Sequence, residues 1–125
     1  FRNVLIMASE RSYLILMLFL SLIPFRISLT IFSSDSDQVI LTNDNPRTES
    51  EEKIVSDILK GIKDKNNISI KYDRSDAIIN TFLNAKKDDV ILIAGKGHET
   101  TQEIGSTLLP FSDRELVRRL MEGDV

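Results

Sequence analysis

Cysteine is absent from this 125-residue chain, which excludes disulfide bridges, thiolate nucleophiles and zinc–thiolate centres. Nothing in it demands an oxidising compartment, and a cytoplasmic location is the one expected. The single histidine, His98, cannot build a multi-histidine metal site, and no acidic run has the spacing of a calcium loop, so no metal ligand is assigned. A basic excess is missing too. The 16 Lys and Arg against 19 Asp and Glu give a formal charge of -3 and a pI near 5.2, with the cations scattered; a nucleic-acid partner is not expected, because phosphate binding needs a basic face. A membrane-length apolar run is also lacking. Tyr13 to Ile23 is almost wholly apolar, but Arg11 and Arg26 bracket it and Pro24 interrupts it, leaving it shorter than the ~18 to 20 residues of a spanning helix. It reads as a core helix or hydrophobic remnant, and no clear signal-cleavage site follows it. Glycine is sparse, with five in all and none before Gly61.

A chain of this length is one ordinary domain, large enough for a hydrophobic core without covalent or metal support. Beginning at Phe1, it reads as part of something longer. From Asp37 onward strand signals alternate with helical periodicities, as in a βαβ wind. Val39-Ile40-Leu41-Thr42 and Val90-Ile91-Leu92-Ile93-Ala94 are apolar at successive positions, as strands covered on both faces are. Between them, Thr48-Glu49-Ser50-Glu51 has the form of a capping box, followed by Ile54, Val55, Ile58, Leu59 and Ile62 at helical spacing and a stop at Gly61. Ile68, Ile70 and Tyr72 alternate as a short strand, and Asp73 caps a second helix burying Ala77, Ile78, Phe82 and Leu83, with Ala85 beyond. Right-handed crossovers then make the sheet mostly parallel, in an α/β, Rossmann-like fold flanked by helices. Beyond Glu99, Thr101–Ile104 and Leu108–Phe111 flank Gly105-Ser106 as a hairpin. Ser112-Asp113-Arg114-Glu115 is a second capping box, opening a last helix with Leu116, Val117, Leu120 and Met121 inward.

Two short motifs follow the two apolar strands: Asp44-Asn45-Pro46-Arg47 and Gly95-Lys96-Gly97-His98-Glu99. Open α/β sheets bind ligands outside the carboxyl ends of their strands, so the motifs are expected to converge on one edge. Turn chemistry accounts for an Asx residue before proline. It does not require Arg47, whose planar fork grips a carboxylate through two parallel hydrogen bonds. The glycine pair can equally be a turn, with His98 packed and Glu99 solvated. It is not a P-loop, since the spacing of glycines and lysine fails that pattern and no Ser or Thr follows Lys96. A guanidinium beside carboxylates and an amide suits a zwitterion. Asp73-Arg74 and Asp113-Arg114 are assigned to helix starts.

Thr42-Asn43-Asp44-Asn45-Pro46-Arg47, Asp73-Arg74 with Ala77-Ile78, Ile93-Ala94-Gly95-Lys96-Gly97-His98-Glu99 and Phe111-Ser112-Asp113-Arg114-Glu115 together resemble, in order and spacing, the carboxyl-terminal domain of the Mur ligase family in its diaminopimelate-adding branch. The resemblance runs from about Asp37 to the end. It implies an ATP-dependent ligase of peptidoglycan synthesis, in which a carboxylate of a UDP-N-acetylmuramoyl-dipeptide becomes an acyl phosphate and the amine of the incoming amino acid attacks it. It further implies that Arg47 binds the distal carboxylate of meso-diaminopimelate, Asp44 and Asn45 its polar groups, and Gly95 and Glu99 its distal amino-acid end, with Pro46, Lys96, Gly97 and His98 in support. Lysine lacks that carboxylate, so its ammonium would face Arg47 without an ion pair. ATP and Mg2+ belong to domains outside this chain, which carries no catalytic residue and is expected to be inactive alone.

The leading segment departs from the family. Val4-Leu5-Ile6-Met7 is placed as the family's first strand, but its glycine-rich loop, with an arginine that also holds the amino acid, has no counterpart, and neither Arg11 nor Arg26 is given that role. Residues 1–36 are therefore set apart from a ligase domain at 37–125, and those near 8–36 are read as a frameshift, a miscalled gene or a decayed copy. Two alternatives stay open: a relic or stand-alone binding module, membrane-associated through residues 13–32, and a lysine-adding relative, which Arg47 disfavours.

Overall fold

Val39 and Leu41 point to one side of their strand and Ile40 to the other, the period of two that a β-strand imposes, and each side is covered by a helix. A computed structural model describes residues 36–125 in full and the backbone of residues 4–9. The expectations placed on Tyr13–Ile23, Pro24, Arg11 and Arg26, and the reading of residues 10–35, lie outside the described residues. The elements are β1 (Val4–Ser9), β2 (Gln38–Leu41), α1 (Glu51–Leu59), β3 (Ile68–Ile70), α2 (Arg74–Asn84), β4 (Asp89–Ala94), β5 (Thr101–Ile104), β6 (Thr107–Pro110) and α3 (Asp113–Glu122).

The main sheet has the order β3-β2-β1-β4. β2 pairs with β3 in parallel, whereas β1 lies antiparallel to both of its neighbours. Strands β2, β3 and β4 therefore all point one way, which makes the sheet mostly parallel by strand direction. The expected first strand is present at Val4–Ser9 but runs against the other three. A second sheet is the antiparallel hairpin β5-β6, closed by Gly105-Ser106 with Ile104 opposite Thr107. Gly105 has φ 59°, a left-handed turn conformation that glycine adopts without a Cβ penalty.

Packing follows the alternation in β2. Val39 and Leu41, fully buried, join Val55 and Ile62 under α1, with Ile58, Leu59, Ile68, Tyr72 and Leu92 around them. On the opposite face Ile40 meets Ala77 of α2, flanked by Ile91 and Ile93. Full burial of an aliphatic side chain contributes about 1.5–3 kcal/mol, so β2, apolar on both faces, is the spine of the domain.

Helix ends show where local pattern was and was not sufficient. Asp73 and Ser112 cap α2 and α3 as expected, accepting from the N–H groups of Asp76 and Glu115. α1 is capped by Ser50, not Thr48: Ser50 Oγ accepts from Lys53 N–H. The helix cannot start earlier because Arg47 has a positive φ of 54° and Glu49 N–H closes a turn onto the Pro46 carbonyl. In α2 the buried stripe is Arg74, Ala77, Ile78 and Thr81. Leu83, expected inward, is 71% exposed, because at 100° per residue it falls opposite that stripe. Met121 of α3 likewise faces out, leaving Leu120 as the buried anchor.

Candidate functional site

Because β2 and β4 are co-directional, the loops leaving their carboxyl ends emerge on the same edge of the sheet. The two motifs meet there, although β1 lies between their strands. Asn45 Nδ2 donates to Glu99 Oε2 at 3.0 Å. Lys96 lies at the centre, its side chain fully buried. Its ammonium donates to Asn45 Oδ1 at 3.1 Å, Glu99 Oε2 at 3.2 Å and the Thr101 carbonyl at 2.5 Å. It also lies 3.1 Å from Asp44 Oδ1, an atom that is buried and accepts no hydrogen bond, so that contact is Coulombic. A buried ammonium is tolerable only with such compensation.

The hairpin that follows the second motif completes the enclosure. Gln102 Nε2 donates to the Asp44 carbonyl at 2.7 Å, and Glu103 N–H donates to Asn45 Oδ1 at 2.8 Å. Arg47 forms a backbone bridge with Ile104: its N–H donates to the Glu103 carbonyl at 3.4 Å, and its own carbonyl accepts from Gly105 N–H at 2.9 Å. Those bonds hold Arg47 in the left-handed conformation, which non-glycine residues rarely adopt. Its side chain is exposed, with Nε donating to Glu103 Oε2 at 2.8 Å.

Electrostatically the site is a set of pre-paired charges. Burial pushes the Glu99 carboxyl up, but hydrogen bonds from Asn45 and Lys96, with the charges of Lys96 and His98, outweigh it and hold the group below the ordinary carboxylate range. The hydrogen bond and charge of Glu103, helped by Glu99 and Asp44, push Arg47 above its ordinary value. Glu99 thus stays anionic and Arg47 cationic at neutral pH. Such a surface can hold complementary charges.

The structure therefore brings Asp44, Asn45, Lys96 and Glu99 into one cluster, with Arg47 at its rim. Asp44 and Pro46 are buried, Asn45 and Glu99 half-buried, and Gly95, Gly97 and His98 exposed on the turn. Gly97 has φ 57°, the conformation that lets this turn aim Lys96 inward. The plain turn reading fails at both residues it addressed: His98 is not packed, and Glu99 is not simply solvated. Among the described residues no group of three or more His, Cys, Asp or Glu could hold a metal ion, and no helix is long and apolar enough to cross a membrane.

Sequence reasoning missed two supports. Gln102 and Glu103 carry no local signature beyond alternation in β5. Arg74 and Asp113, assigned to helix starts, form a buried bidentate pair: Nε to Oδ1 at 2.8 Å and Nη2 to Oδ2 at 2.7 Å. Arg74 also donates to the Asn43 carbonyl at 3.2 Å and the Ala94 carbonyl at 3.0 Å, the backbone just before each motif. A signal for this existed. A cation in the first turn of a helix opposes the helix dipole, so Arg74 needed a reason beyond helix formation.

The chain is similar to known proteins over most of its length. The family model described as Mur ligase, glutamate ligase domain, matches residues 26–97. The chain is 51% identical over 86 residues to a UDP-N-acetylmuramoyl-L-alanyl-D-glutamate--2,6-diaminopimelate ligase of Coxiella burnetii, covering 69% of this chain and 18% of that protein. It is 48% identical over 89 residues to the protein of the same name from Aquifex aeolicus, covering 71% and 18%. A solved structure of a ligase of that name superimposes with a TM-score of 0.70 at 36% identity, over 78% of this chain and 20% of the other. The chain thus spans about a fifth of the length of the relatives it matches.

Proposed function

Because this chain belongs to the Mur ligase family, we propose that it is the amino-acid-recognising, carboxyl-terminal domain of an ATP-dependent peptidoglycan ligase that adds meso-diaminopimelate to UDP-N-acetylmuramoyl-L-alanyl-D-glutamate. The ligase domain is residues 37–125, with residues 1–36 an atypical leading segment whose strand β1 lies in the domain's sheet between β2 and β4, and the working compartment is the cytoplasm. The relatives' shared name carries the substrate assignment. The observation that carries the site assignment is the Lys96 cluster, which ties the two motif loops into one rigid edge with the Arg47 guanidinium exposed at its rim.

The chemistry of the amino acid explains the residue types. The distal end of diaminopimelate is a zwitterion, and the edge offers it a cation in Arg47 and an anion in Glu99, with Asp44 buried behind them against Lys96. Arg47 takes the carboxylate, Glu99 and the Gly95 backbone take the ammonium end, and Asp44 and Asn45 orient its polar groups. Lysine presents the ammonium alone, so at Arg47 it gains no ion pair and meets a like charge. This domain's share of the reaction is positioning, which lowers a barrier by removing translational and orientational freedom. ATP and Mg2+, which would form and stabilise the acyl phosphate, are held by the rest of such a ligase. The chain alone is inactive on this reading, because phosphoryl transfer needs the metal-assisted charge neutralisation those domains supply.

Calorimetric titration of the chain with meso-diaminopimelate and L-lysine tests this. Diaminopimelate should bind more tightly by roughly fivefold or more, the scale of an exposed ion pair, and Arg47→Ala should erase the preference. Equal binding of the two amino acids by the unaltered chain would refute the assignment.

A further inference from the structure

A guanidinium offers two edges for paired hydrogen bonds: Nε with one Nη group, or the two Nη groups together. In Arg47 the first edge is engaged, with Glu103 Oε2 lying 2.8 Å from Nε. Among the described residues, the Nη groups have no hydrogen-bond partner. Glu103 is not a loose surface acid. Its N–H is bonded to Asn45 Oδ1 at 2.8 Å, its carbonyl accepts from Arg47 N–H, and β5 fixes its register opposite Leu108. The same residue is therefore tied by its main chain to Asn45 and by its carboxylate to Arg47, while the Arg47 backbone is clasped between Glu103 and Gly105.

We propose that Glu103 is the positioning residue for Arg47, taking Nε so that the edge formed by the two Nη groups is presented to the distal carboxylate of the amino acid. This rests on the reading of Arg47 given above and adds a residue and an orientation to it. The ligand carboxylate then binds end-on, and the negative charge of Glu103 stands on the side of the guanidinium away from the ligand. An arginine already held in one rotamer loses less freedom on binding. Glutamine in place of Glu103 keeps an oxygen acceptor for Nε, whereas alanine does not.

The test uses the full chain and its Glu103→Ala and Glu103→Gln forms. In 15N–1H spectra of the arginine side chains, with the Arg47 peak assigned through Arg47→Lys, its Nε–H should exchange with water at least roughly threefold faster in Glu103→Ala. Glu103→Gln should stay close to the unaltered chain. Equal exchange in all three overturns the proposal. In calorimetry with meso-diaminopimelate, Glu103→Ala should weaken binding by roughly three- to fivefold and Glu103→Gln should restore it. Unchanged or tighter binding by Glu103→Ala would mean that Glu103 competes with the ligand, and would overturn the proposal. If the unaltered chain takes up no diaminopimelate, the amino-acid-binding reading fails, and the exchange measurement, which needs no ligand, still decides whether Glu103 holds Arg47.

Discussion

Replacing Lys96 by methionine keeps an unbranched side chain out to the ε position and deletes the ammonium on which the two motif loops converge. That ammonium touches Asp44, Asn45, Glu99 and the Thr101 carbonyl. The partners differ in how they would respond. The Glu99 side chain is 42% exposed, so water takes over much of what Lys96 supplied. Asp44 is only 5% exposed at its side chain and would be left as a buried anion without a counter-charge. Removing one member of a buried ion pair costs about 3–5 kcal/mol, chiefly because of the charge left behind. Against a total stability of about 5–15 kcal/mol for a domain, this is a large fraction, and at about 4 °C per kcal/mol it lowers the melting temperature by about 12–20 °C. Urea unfolding at pH 7, followed by circular dichroism on Lys96→Met, Asp44→Asn and the double variant, measures it. The double variant should recover about 2 kcal/mol or more relative to the sum of the single changes. A loss below about 1 kcal/mol in Lys96→Met, or strict additivity in the cycle, would refute the claim that a buried ion pair organises this edge.

Arg74→Ala should destabilise the chain by about 3–5 kcal/mol, since it strands the buried Asp113 and removes the donors to the Asn43 and Ala94 carbonyls, and Asp113→Asn should give a smaller loss because it keeps one acceptor; equal stability of all three chains in guanidinium melts would contradict the bidentate pairing. The depressed carboxyl of Glu99 has a signed consequence for acid stability. Its contribution is fully present above the unfolded-state value of ~4.3 and is lost as pH falls through the lower folded-state value. Between pH 6 and 3, Glu99→Gln should therefore lose less stability than the unaltered chain, and superimposable pH curves would speak against the hydrogen bonds drawn to Glu99.

Much of the architecture was legible because it depends on local physics. The double-sided apolar run of β2, the Asp73 and Ser112 caps and the two-residue turn at Gly105-Ser106 each follow from neighbours within a few positions, and all stand where the pattern put them. The misreadings share one cause, which is that a neighbour distant in sequence overrode a local preference. Thr48 lost its capping role because Arg47, held by the β5 backbone, turned the chain first. Leu83 was counted inward because it is apolar, although Thr81 fills the buried stripe by donating its hydroxyl to the Ala77 carbonyl at 2.7 Å.

The candidate site divides in the same way. Asp44, Asn45, Arg47, Lys96 and Glu99 stood out because their two motifs follow apolar strands, where open sheets bind their ligands, but residue types alone left plain turns open, and it was the resemblance to the Mur ligase family, in order and spacing, that assigned them to a site. Their ranking was not legible there. Only the fold shows that Lys96 is the buried hub, that Arg47 pairs with Glu103 from outside either motif, and that Arg74 joins α2 to α3 beneath both loops. Sequence alone determined which chemistry the edge carries, since charge and hydrogen-bonding capacity belong to each residue. Which group bears which load was left to the tertiary structure, because burial and partnership depend on segments about fifty residues apart folding against one another.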